Sequence, residues 1–73
     1  MRVRVFLRQP LFTIPGHLPK GVGVVEGVVQ ETTGFGITIH VDTYLDEGGK
    51  PLSGEGVTLI LPGAKIDHVL VVG

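Results

Sequence analysis

Cysteine is absent from these 73 residues, and so are tryptophan and asparagine. Without thiols the chain forms no disulfide and no thiolate metal site, so two common supports of a very small domain are excluded. A chain of this length makes one domain, residues 1–73, which buries only roughly 60 to 65% of the surface its unfolded form exposes. Its core is therefore thin, and closure of a sheet into a barrel, or self-association, is left to stabilise it. Long apolar runs are lacking too: the longest span about four residues, against the roughly 18 to 20 that cross a bilayer as a helix. Arg2 and Arg4 are followed by alternation rather than by an apolar block and a cleavage site, so no secretory signal is expected and a cytoplasmic location is the default. Loss of asparagine and cysteine, with one methionine, is a thermophile-like trait, although the Lys and Glu enrichment that usually accompanies it is missing.

Charge of one sign is also scarce. The formal net charge is -1 and only 18% of residues are charged, so there is no long-range attraction to nucleic acid or to an anionic membrane, and any such binding has to be local. A hydrophobic content of 42% places the chain among ordered globular domains.

What is plentiful is glycine, 12 residues, with 5 prolines, punctuating stretches of Val, Ile and Leu. That is the punctuation of an all-β chain. Phe35 to Asp46 alternates most regularly: Phe35, Ile37, Ile39, Val41 and Leu45 take one face of a strand, and Thr38, His40, Asp42, Tyr44 and Asp46 the other. Arg2 to Arg8 forms a first strand, with Val3, Val5 and Leu7 opposite Arg2, Arg4, Phe6 and Arg8. Pro10, Pro15 and Pro19 make Gln9 to Gly21 a long loop, with a short extended piece at Leu11 to Ile14. Val22 to Glu31 is a second strand whose apolar phase shifts, Val24 and Val28 against Val25 and Val29, which predicts a bulge or bend at Gly27. Thr32 to Gly34 turns it into the alternating strand, so Val22 to Asp46 is one hairpin. Asp46 to Gly56 reads as a mobile polar loop. Strands at Val57 to Leu61 and Ile66 to Val72 flank Pro62-Gly63, which suits a type II turn.

Five short antiparallel strands, one bent at a glycine, predict a small SH3-like barrel, with an OB-fold-like barrel as the alternative. The OB fold places a helix between its third and fourth strands, where Asp46 to Gly56 offers none.

Val22 to Val72 resembles the Sm-like family of RNA-binding barrels in its order of parts: the bent strand Gly-Val-Val-Glu-Gly-Val-Val, a short turn, a long alternating strand, a variable loop and the tight Leu-Pro-Gly-Ala-Lys-Ile turn. The resemblance implies a small barrel that binds RNA. In that family an Arg-Gly pair in the last turn helps hold uridine, and here Pro62 stands before Gly63.

Three sets of residues are candidates for function. All three arginines lie on one face of the first strand with Phe6 between them, which with Lys65 could hold the phosphates and stack a base of a single-stranded nucleic acid or bind an anion. A solvated edge-strand face, charged to discourage aggregation, accounts for the same residues. His40 and Asp42, two apart on one face, are metal or acid-base candidates, but a metal needs further ligands that only His17 or His68 could add, and no nucleophile motif accompanies them. The last strand, with His68, Leu70 and Val72 as contact candidates, carries few charges to protect it as an edge. The leading expectation is a non-enzymatic interaction and assembly module, needing no cofactor, that forms a homo-oligomer. A nucleic-acid-binding barrel is the second, and a metal-dependent enzyme at His40 and Asp42 the third.

Overall fold

Val, Ile and Thr at alternating positions favour extended backbone, because branched side chains pack well on a pleated surface. In the computed structural model, which describes residues 1–73, they form six strands: β1 (Arg2–Leu7), β2 (Val24–Thr32), β3 (Gly36–Leu45), β4 (Pro51–Leu52), β5 (Val57–Pro62) and β6 (Ile66–Val71). Neighbouring strands are antiparallel in the order β4-β3-β2-β1-β6, and β5 also pairs with β3. β5 and β6, consecutive in the chain, do not pair, so the sheet curls without closing.

The inner face holds Val3, Val5 and Leu7 of β1, Val25 of β2, Ile39, Val41 and Tyr44 of β3, and Leu61 of β5. Leu18 and Val22 from the long β1-β2 segment complete this core. That segment is tied down where its amides would otherwise be unpaired: Leu11 N–H donates to Val22 O, and Ile14 and Leu18 pair with one another.

The register between β2 and β3 departs from simple alternation. Val25 stands opposite Tyr44 and Glu26 opposite Thr43, but Gly27 stands opposite Val41, which leaves Asp42 as one surplus residue on β3. A bulge of this kind reverses which residues face inward beyond it. Tyr44 therefore turns into the core, 1% exposed, and its hydroxyl donates to the Glu55 carbonyl, contrary to the expectation that it shares an outer face with His40 and Asp42. The irregularity expected at Gly27 is present as a register shift between Glu26 and Gly27, but the surplus residue lies on β3 rather than on β2. A Cβ on Gly27 would collide with the His40 carbonyl across the ladder, so only glycine allows this approach.

Three other expectations change. There are six strands rather than five, because Pro51–Leu52 pairs with Tyr44 and Leu45 inside the segment read as a mobile polar loop. Asp46 organises that turn, its Oδ1 accepting from the Gly48 and Lys50 amides. Pro62-Gly63 does not form a type II turn: Gly63 has no positive φ, and a single 3-10 turn, Gly63–Lys65, links β5 to β6. Phe35 lies outside β3 and is exposed, because Gly36, not Phe35, begins the paired strand.

Candidate functional site

β1 is flanked by β2 and β6, so its outward residues meet partners on both sides. Arg4 stands opposite Glu26 on β2, and Arg2, two pairs further along on the same face, stands opposite Val28. The Glu26 carboxylate accepts from both: from Arg2 Nη2 at 2.9 Å and from Arg4 Nε at 2.9 Å, with Arg4 Nη2 also 2.8 Å away. The bulge pushes Asp42 outward to the same place, where its two oxygens accept from Arg2 Nη1 at 2.9 Å and Nη2 at 2.7 Å. This fork-on-carboxylate geometry is the strong form of an ion pair. It holds the Asp42 carboxyl down to about 2, chiefly through the Arg2 hydrogen bonds and then through Thr43 Oγ1. Glu26 is lowered as well, by Arg4 first, against a burial effect that opposes it, and then by Arg2. Arg2 is raised in turn by Asp42 and then Glu26. Burial pushes the Tyr44 phenol up.

Phe6, the one ring in the predicted arginine platform, is covered on one side. It stacks on His68 of β6 with centroids 4.3 Å apart and planes 10° from parallel, while Asp67 Oδ2 lies 2.7 Å from His68 Nδ1. Arg8 is different from the other arginines. It has no carboxylate partner, its Nε donates to Ile66 O at 3.2 Å, and it lines an open cleft of about 800 Å³ together with Lys65. Of the predicted anion-binding residues, then, the fold sets Arg2 and Arg4 in an acidic network and brings Arg8 and Lys65 together.

His40 Nδ1 lies 3.3 Å from Thr58 Oγ1, and Asp42 is taken by Arg2. Neither has a third ligating side chain: nowhere in the structure do three His, Asp or Glu side chains gather as a metal would require.

β6 is an edge. His68 and Leu70 stand opposite Phe6 and Arg4 on the outer face, while Val69 and Val71 stand opposite the fully buried Val5 and Val3. They point to the core side yet are 38% and 60% exposed, because no strand covers them where β5 and β6 fail to meet. Alternation in the sequence marks such residues as inward-facing but cannot tell whether anything covers them. Phe12, 92% exposed in the proline-flanked segment, was also missed as a site residue, since an isolated ring in a loop carries no pattern.

Comparison of the chain with protein-family profiles, curated protein sequences and solved structures returns no match. No helix is long and apolar enough to cross a membrane.

Proposed function

We propose that this chain is a non-enzymatic assembly module, a small SH3-like barrel left open along β6 that joins copies of itself through that strand. The SH3-like reading is supported by the connections: a long segment between β1 and β2, a β2-β3 hairpin, a single 3-10 turn before the last strand, and the return of that strand onto β1. Self-association is supported by one observation above all, the exposure of Val69 and Val71 beside the buried Val5 and Val3.

An edge strand that stays alone is usually guarded by charge, proline or cover. From Val69 to Val72 β6 and its end have none of these, and Leu70 and Val72 are exposed as well. A second copy fits this edge for a reason of symmetry. In an antiparallel pairing centred on Leu70, Val69 meets Val71 of the partner subunit, and Asp67 is kept away from its own copy. Apolar surface leaves water at roughly 25 cal/mol per Å², and the free N–H and C=O groups of β6 find partners in the same step.

Sedimentation velocity at micromolar concentration tests the reading. A dimer is expected, since the two-fold pairing uses β6 of both copies, with Val71→Lys returning a folded monomer by circular dichroism. A wild-type monomer throughout the range would overturn it.

A further inference from the structure

The cleft at the far end of β1 is a second surface, separate from the β6 seam. One wall is the chain leaving β1, with Arg8, Gln9, Leu11 and Phe12; the other is the 3-10 turn, with Ala64 and Lys65. The walls are fastened together, since Arg8 N–H donates to Lys65 O at 2.9 Å. The Arg8 Nε bond to Ile66 O fixes the root of the guanidinium and leaves its terminal nitrogens without a carboxylate partner. No acidic residue lines the cleft, although acids outnumber Lys and Arg in the chain, 7 against 6. The only aromatic ring here is Phe12, 92% exposed.

We infer that this cleft holds a nucleoside phosphate unit, its phosphate between Arg8 and Lys65 and its base against the Phe12 ring. Two unpaired cations supply the phosphate contacts, the ring supplies a stacking face, and the Gln9 amide offers both a donor and an acceptor to a base edge. The volume of about 800 Å³ suits a ligand of this size. A free nucleotide and one nucleotide of a single strand share this chemistry. With two phosphate contacts, log affinity for a strand falls against log salt with a slope of about -1.4, at roughly 0.7 per contact.

The test uses a labelled mixed-sequence single-stranded octanucleotide, read by fluorescence anisotropy, and nucleoside monophosphates, read by calorimetry, both at low salt. Saturable binding is expected, weakened about tenfold by Phe12→Ala, whose exposed ring supports no packing. Arg8→Ala and Lys65→Ala each weaken binding and reduce the salt slope by about half. Lys50→Ala, outside the cleft, leaves it unchanged, and circular dichroism checks that each variant is folded. Binding of monophosphates as well as strands makes a free nucleotide a sufficient ligand; binding of strands alone makes the strand the source. The inference is overturned if neither binds, if the Arg8→Ala/Lys65→Ala double variant still binds, or if an acidic peptide competes as well as the octanucleotide. None of these outcomes bears on self-association through β6.

Discussion

The guanidinium of Arg2 on β1 reaches over β2 to hold both carboxylate oxygens of Asp42, 40 positions further along the chain, at 2.9 and 2.7 Å. The contact exists because Asp42 is pushed out of the β2-β3 ladder. Glu26, only 14% exposed, sits between Arg2 and Arg4 and completes a charged patch spanning three strands.

This patch makes stability depend on acid. Asp42 and Glu26 have folded pKa values below their unfolded ones, so the stability they contribute is present above about pH 4.5 and is lost as pH falls toward about 2. Urea midpoints measured across that window should decline steadily for the wild type and decline less for Glu26→Gln/Asp42→Asn. At neutral pH Glu26→Gln should cost about 1 kcal/mol, since it loosens two charge-assisted bonds at a mostly buried carboxylate. Asp42→Asn should cost less, its carboxylate being 44% exposed and well screened. A wild-type midpoint that stays level down to pH 2.5 would contradict the assignment.

Gly27→Ala should be among the most damaging single changes. The added methyl meets the His40 carbonyl, a backbone group that cannot rotate away, so the β2-β3 ladder has to spread. Thermal or urea denaturation should record a loss of about 2 to 3 kcal/mol, or no cooperative transition at all. Gly34→Ala, at a position with open space around it and no positive φ, serves as the control and should stay close to the wild type.

Tyr44→Phe should loosen the chain between β4 and β5 more than the core. The ring keeps its packing while the bond from the hydroxyl to Glu55 O disappears, a loss of about 1 kcal/mol. Amide exchange is the discriminating measurement, with protection expected to fall at the strand ends Leu52 and Val57 that flank this segment and to hold in β1. Uniform loss across both regions would mean that the hydroxyl is not a local tether.

Alternation in β1 and β3, and Val-, Ile- and Leu-rich runs between turn residues in β2, β5 and β6, made these five strands legible within one or two residues at each end. A register irregularity at Gly27 was legible from the glycine inside the Val-rich run. Its placement on β3 was not: Val41-Asp42-Thr43 alternates as well as any strand, and its irregularity lies in the pairing with Glu26 and Gly27. Pro51–Leu52 is too short to carry a pattern, and its pairing is made by Tyr44 and Leu45. For the candidate surfaces, the sequence located the arginines and β6, but only the fold separates Arg2 and Arg4, engaged by acids, from Arg8, which faces the cleft with Lys65.

Asp42 can be seen, finally, as slack in the thread. Since Thr43 and Val41 already pair with the adjacent residues Glu26 and Gly27, removing Asp42 would shorten β3 to the length its partner requires and leave Tyr44 pointing inward. Most one-residue deletions within a strand turn everything beyond them inside out. Here a position open to change in length is also the one that fastens Arg2, so a length variant at this point would keep the interior and rewrite the charge map of the exterior.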